Sequence, residues 1–377
     1  MALLKLDSLS HWDHNDPNYK WPVVSSRNAI NVSASHGRNG AGIRIVSGGT
    51  EVGSIPGLDA TVADFSSHGM LEEVFINENP SSTWAAGFAF KFSDIALEAN
   101  IPLFALLDTG YTPYPDALGF FYPTQSAVHF CPDQKLRLCY GEYYSPTVVH
   151  TVPFVLKRGV WYYLEFLIGI GDPGGTFQCR IDGKPISNEG SLKTQTTTNN
   201  SADGVRIFHH KSTVGGQRNA RTFYVDDIYV ASGFYSDIEV ECIRPTADGA
   251  NDQWTPSSGA DNYAMVDDLQ PDENTTYNTA TAAGNIDTYE HGDLDHAAGT
   301  IYGLAIQMGV LNNDFDVAGV GSVIRIGGMN YLASQRGTVG TIIYRAQAGN
   351  YETSPATSSR FSIAEINGAE FGVRRTT

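Results

Sequence analysis

Short stretches in which apolar and polar residues alternate recur along the whole chain, and Gly, Pro, Asn or Asp closes nearly every one. Alternation with period two turns one set of side chains inward and the other outward, which marks a half-buried strand. In the first half, the stretches at 42–46, 84–92, 103–107, 135–139 and 161–168 are short and rich in β-branched and aromatic residues, so strands are predicted there. The clearest unit is 161–186. A strand runs into Gly-Asp-Pro-Gly-Gly at 171–175 and returns over 176–182, and Asp182 and Gly183 then supply a second tight turn. The stretch 224–230 reads as the last strand of this half. Trp84 and Trp161, inside predicted strands, read as core. Helical periodicity is confined to one turn over 94–99.

Strand patterns restart in the second half at 239–243, 262–266, 300–307, 322–326 and 341–345, separated by loops rich in Asp, Asn, Gly and Thr. Charge steps at the same place. Residues 1–238 hold 17 Lys plus Arg against 23 Asp plus Glu, a balance of 17 − 23 = −6; residues 239–377 hold 7 against 18, or −11, with no lysine. At 377 residues the chain exceeds what one core usually fills. The boundary falls at 236–238, giving a first domain at 1–237 and an acidic second domain at 238–377, with no Pro/Gly/Ser-rich linker between them. With 39 Gly, 17 Pro and 11% aromatics, the expected fold is all-β, two jelly-roll-like β-sandwiches.

The net charge of −17 argues against nucleic acid, whose binding draws on Lys and Arg. No run approaches the roughly 20 apolar residues of a membrane helix. Residues 1–7 lack the apolar core of a signal peptide, so synthesis and assembly in the cytoplasm are expected. Cys131, Cys139, Cys179 and Cys242 show no zinc spacing and read as buried thiols.

The order of motifs in the first half resembles a laminin-G-like domain of the concanavalin A-like jelly-roll superfamily. The resemblance spans most of 30–232. It rests on Arg-Asn-Gly-Ala-Gly-Ile-Arg-Ile at 38–45, Gly-Val-Trp-Tyr-Tyr-Leu-Glu-Phe at 159–166, Cys-Arg-Ile-Asp-Gly at 179–183, and Tyr-Val-Asp-Asp-Ile-Tyr at 224–229. The second half is similar to domains of tailed-phage structural proteins, through Trp-Thr-Pro-x-x-Gly-x-x-x-Tyr at 254–263, Val-Asp-Asp at 266–268 and the turn at 272–277. Together they resemble a bacteriophage virion protein, although no heptad stalk of an elongated fibre is present.

That resemblance implies a non-enzymatic structural part of the virion, a tail-tip, baseplate, fibre or capsid-decoration component. It would be assembled in the host cytoplasm with other virion proteins and form a homo-oligomer, a trimer first. A carbohydrate-binding protein that recognises a host surface glycan is the alternative. A polysaccharide hydrolase ranks third. Retaining hydrolases need two carboxylates about 5 Å apart; the Glu-x-Asp-x-x-Glu pattern of this superfamily is missing, so no enzyme is expected. Loop aromatics Tyr111, Tyr114, Tyr122 and Tyr143 are the candidate ligand-binding residues, suited to stacking on sugars or on a neighbouring subunit. No cofactor is required. Laminin-G-like domains often hold a rim calcium ion, and Asp226 and Asp227 are the candidate ligands, with Asp108 and Asp172 as further hard oxygens and Arg221 as the cation that would replace a metal. The acidic segment 287–295, with His291 and His296, reads as a solvated loop. His11 and His14 precede a helix-breaking Pro17, and His209 and His210 diverge on a strand, so neither pair is a metal site.

Overall fold

A computed structural model describes residues 3–7, 23–25, 30–33, 38, 42–47, 70–74, 80–93, 100–108, 124–141, 146–207, 221–268, 275–312, 318–333, 336–339 and 345–377. The chain forms two compact units, Asp7–Glu239, and Ala2–Leu6 with Val240–Thr377. Among the described residues nearly all regular structure is strand, and neighbouring strands such as Tyr162–Gly169 and Gly175–Ile181, Thr83–Phe92 and Arg221–Ala231, or Ile286–His291 and Glu370–Arg375 pair antiparallel.

After β1 (Leu3–Asp7) come β2 (Val23–Ser25), β3 (Ile30–Ser33), β4 (Gly42–Ser47), β5 (Met70–Val74), β6 (Thr83–Phe92), β7 (Ile101–Leu107), β8 (Thr124–Phe130), β9 (Leu136–Tyr140), β10 (Thr147–Thr151), β11 (Tyr162–Gly169), β12 (Gly175–Ile181), β13 (Lys184–Leu192), β14 (Gly204–Ile207) and β15 (Arg221–Ala231). The first sheet runs β13-β12-β11-β6-β15-β4-β3, and the second β10-β9-β8-β7-β14-β5-β2. Aromatic side chains from both fill the space between them. Phe92 of β6 meets Phe130 of β8 at 4.8 Å between ring centroids, and Phe166 of β11 meets Phe104 of β7 at 6.3 Å. All four rings are wholly buried. Each contributes about 2–3 kcal/mol of burial, which makes this layer the main stabilising element of the unit.

Alternation explains β12, whose Phe177, Cys179 and Ile181 face the core between more exposed neighbours. Strand β6 breaks the rule by being buried on both faces. Its outward positions are Ala85, Gly87 and Ala89, small enough for aromatic rings to lie across them. A Cβ on Gly87 would stand 2.2 Å from the Tyr229 ring. The hairpin at 182–183 forms as expected, with φ of +51° at Asp182 and +71° at Gly183, the sign that a tight primed turn needs.

The second unit contains β16 (Pro245–Asp252), β17 (Thr255–Pro256), a 3-10 turn (Tyr263–Met265), β18 (Asn278–Thr279), β19 (Ile286–His291), β20 (Leu304–Val310), β21 (Ala318–Ile326), β22 (Met329–Leu332), β23 (Arg336–Val339), β24 (Arg345–Tyr351), α1 (Ile363–Asn367) and β25 (Glu370–Arg375). Its main sheet runs β16-β19-β25-β21-β22, with β23 also on β21. The β20–β24 ribbon covers one face, and Ile306, Ile324, Phe361, Ile366 and Phe371 form the core between.

Three expectations change. Residues 239–243 form no strand; the Arg38 guanidinium donates to the Ile238 carbonyl just before this stretch, and the Glu241 side chain accepts from the Asp295 amide. Residues 262–266 form the 3-10 turn, because the Asn262 amide group is pinned to Asp252, the Trp254 carbonyl and Asp287. Trp161 lies just before β11, half-exposed and outside the core.

Candidate functional site

The outer face of the second sheet carries a row of small side chains. Arg206 of β14 stands opposite Ala105 of β7, Ala105 opposite Ala127 of β8, and Ala127 opposite Cys139 of β9. Because Val128 and Phe130 turn into the core, Ala127 and His129 face away from it. Together Ala105, Ala127, Cys139, His129 and Arg206 line a depression of about 10 Å³, about the space of a single water.

His129 is 3% exposed, and its Nδ1 is buried without a hydrogen-bond partner. Burial pushes its pKa down to about 4, so the ring is neutral at physiological pH and offers one donor and one acceptor. Burial likewise pushes the Cys139 thiol up to about 12, which leaves it an inert part of the floor. Arg206 is 3% exposed and brings a guanidinium to the same depression.

One end of this face is walled by residues 194–201. Gln125, on the same face as His129, accepts from the amides of Thr196 (2.9 Å) and Thr197 (3.1 Å) and donates to the carbonyls of Asn199 (2.8 Å) and Ser201 (3.0 Å). Asp108 accepts from Thr197 Oγ1 at 2.5 Å and Asn199 Nδ2 at 3.0 Å. These bonds fix the wall and occupy the Asp108 carboxylate. Asp172 is exposed and paired with Lys193.

Thr124, Tyr140, Gly141 and Pro146 also line the depression, at the end where β7 leads to β8 and β9 to β10. Tyr111, Tyr114, Tyr122 and Tyr143 belong to those two connections and lie outside the described residues, as do His11, His14, His209 and His210.

Asp226 and Asp227 sit on the outer face of the first sheet, 4% and 3% exposed. Between Asp226 and Tyr229 the register slips, and Asp227 takes φ of +52°. Their cationic partner is Arg38. Its amide donates to Asp226 Oδ2 at 2.8 Å, and its Nε lies 3.5 Å from Asp227 Oδ2. Burial and the Asp227 carboxylate push Asp226 up to about 8. Among the described residues, Arg38 is the cation brought to this pair, and its guanidinium also meets Asp237 at 2.6 Å. Among the described residues no three His, Cys, Asp or Glu side chains gather as a metal site.

The acidic segment 287–295 begins as strand β19, not as a loop. Asp287 is buried and accepts from the amides of Gln253 and Trp254, each at 2.8 Å, and from Asn262 Nδ2 at 2.8 Å. His291 bonds the Tyr289 carbonyl, and the exposed His296 pairs with Glu241.

Sequence reasoning missed His129 and Arg206. Each is a single polar residue in a short apolar strand, and only sheet order brings them together. The available sign was a histidine at an outward position of Thr-Gln-Ser-Ala-Val-His-Phe, where alternation should have placed it beside Ala127.

No family model matches the chain, and no curated protein matches its sequence. Among solved structures it is similar to the Cellulose induced protein, Cip1, at 15% identity over 61% of this chain and 98% of that one, with a TM-score of 0.40. A GH131 beta-glucanase catalytic domain from Podospora anserina matches at 15% identity over 62% and 93%, with a TM-score of 0.35. The carbohydrate esterase from Shiga toxin-encoding bacteriophage phi24B matches at 16% identity over 60% and 98%, with a TM-score of 0.34. These figures assign no activity to this chain. They do correct the expectation that it is not an enzyme. That exclusion rested on one missing carboxylate motif, and structures similar to this one bear the names of a glucanase and an esterase, so the missing motif excludes one hydrolytic arrangement and not catalysis.

Proposed function

We propose that the first β-sandwich recognises a saccharide at the depression on the outer face of its second sheet, and that the chain does so as a component of a tailed-phage particle. The observation that carries the reading is His129. A buried neutral imidazole with an unpartnered nitrogen, beside a guanidinium and above a floor of alanines, is a polar contact awaiting a small group that both donates and accepts. A sugar hydroxyl is such a group and fits either tautomer. His129 sits on a strand paired on both sides, which holds the contact preorganised and lowers the cost of binding. The particle setting rests on the resemblance of the second half to tailed-phage structural domains, and of the two halves together to a virion protein.

The test is calorimetric titration of the full chain with a panel of bacterial surface polysaccharides and plant glucans, with product analysis of the same mixtures. Saturable binding by one glycan is expected. Ala127→Phe, which fills the floor, and His129→Gln should each weaken it at least tenfold while leaving circular dichroism unchanged. Failure of every glycan to bind, or binding indifferent to both changes, overturns the reading.

A further inference from the structure

The opposite sheet carries a second, independent polar-aromatic arrangement. Tyr162 of β11 pairs with Phe90 of β6, and Lys91 of β6 pairs with Tyr224 of β15. Trp161, one residue before Tyr162, therefore completes a row Trp161–Lys91–Tyr224 across three strands. The Lys91 ammonium lies 4.7 Å from the centre of the Trp161 ring and 4.3 Å from that of Tyr224, and the two rings meet edge to face at 6.4 Å. All three side chains are half-exposed.

Next to this row, the centre of the face is closed. Further along the same strands, Tyr163, Glu165 and Tyr229 are wholly buried, and Asp226, two residues from Tyr224, is engaged by Arg38. Lys91 makes no ion pair with any described carboxylate. Its pKa is lowered by burial alone, with no acidic neighbour acting against that. Among the described residues this half-buried ammonium faces two aromatic rings and no carboxylate, in a chain with 41 Asp plus Glu against 24 Lys plus Arg.

We propose that Trp161, Lys91 and Tyr224 form a subsite for a carboxylated saccharide, the ammonium meeting the sugar's carboxylate while the half-open rings stack on its C–H face. Two aromatic faces hold the ammonium in place, so little side-chain freedom remains to be lost on binding. An acidic sugar presents both complementary features, an anion and an apolar ring face, within one residue. A neutral sugar would leave the ammonium unmatched. This subsite lies on the sheet opposite the His129 depression and stands whether or not that depression binds a glycan.

The test is calorimetry of the full chain with trigalacturonic acid and sialyllactose, against galactotriose and lactose as neutral counterparts. At least one acidic probe should bind at least tenfold more tightly than its neutral counterpart. Lys91→Met, which keeps the stem over the rings, should abolish that preference, Lys91→Arg should keep it, and Trp161→Leu should weaken binding at least fivefold. Near-ultraviolet circular dichroism and unchanged melting establish that the variants fold. The proposal is overturned by absence of binding of both acidic probes, by equal binding of neutral and acidic sugars, or by a preference that survives Lys91→Met. Polyglutamate that competes as well as the sugar, with Trp161→Leu without effect, would reveal a simple anion contact and overturn it too.

Discussion

Glu165 of β11 accepts a 2.6 Å hydrogen bond from the Tyr229 hydroxyl of β15, two strands away, with the intervening position occupied by Gly87. The same carboxylate oxygen accepts the Ser236 amide at 2.8 Å, which ties the segment after β15 down onto the sheet. Its other oxygen is buried without a hydrogen-bond partner. Glu165→Ala would leave two buried donors unpaired and should cost about 2–4 kcal/mol. Glu165→Gln keeps an acceptor for both donors and should stay within about 1 kcal/mol of the parent. Urea unfolding followed by tryptophan fluorescence measures both.

Gly87 is small because the Tyr229 ring crosses it. Gly87→Ala should destabilise the first unit by about 1–3 kcal/mol, the usual cost of overpacking. Gly183→Ala, where φ is +71° and no atom lies near, should cost less, about 1 kcal/mol of backbone strain. Equal losses in thermal melts would show that the ring can move aside.

Stability should depend on pH through groups of opposite sign. Asp226 holds its proton up to about 8 in the folded state, against an ordinary value of 3.8. The folded chain therefore binds more protons than the unfolded one between those values, and stability declines as pH rises from about 4 to about 8. His129 and His291 are each pushed down to about 4 from 6.5 by burial, so their contribution is intact above 6.5 and is lost as pH falls toward 4. Asp226→Asn should flatten the alkaline decline, and His291→Phe the acid one. Melting temperatures at half-unit steps from pH 4 to 9 show both limbs.

In the second unit, Asn262 donates to Asp252 at 2.7 Å, to the Trp254 carbonyl at 3.0 Å and to Asp287 at 2.8 Å. The Trp-to-Tyr motif at 254–263 is thus a turn folded around one amide. Asn262→Leu, which is similar in size and lacks the donors, should cost about 1–2 kcal/mol, since it removes one donor from the buried Asp287 carboxylate, which keeps Tyr289, and two bonds from part-buried acceptors. A loss under 0.5 kcal/mol in denaturant titration would contradict that role.

Much of the fold was legible because strands announce themselves by local alternation. The stretches at 84–92 and 103–107 lie in β6 and β7, 161–168 falls in β11 but for Trp161, and the Asp182-Gly183 turn follows from residue type alone. Errors arose where a side chain far along the chain decided the outcome. Arg38 takes up the backbone at 238, and Asp287 and Asn262 convert an apparent strand into a turn. Helix α1 did carry a local sign, Ser362 three residues before Glu365, and the Ser362 hydroxyl accepts the Glu365 amide. The two sites were illegible for a different reason. His129 and Arg206, like Trp161, Lys91 and Tyr224, meet only through sheet order, which no spacing in the sequence encodes.

Recognition of a saccharide beside His129 is tested most directly by hydrogen–deuterium exchange of the full chain with and without the tightest-binding glycan. Slowed exchange in 124–130 and 136–141, and at 204–207, with no change in 286–291 of the second unit, is the predicted result. Protection confined to the second unit, or absent from 124–130 at saturating glycan, would contradict recognition at this face.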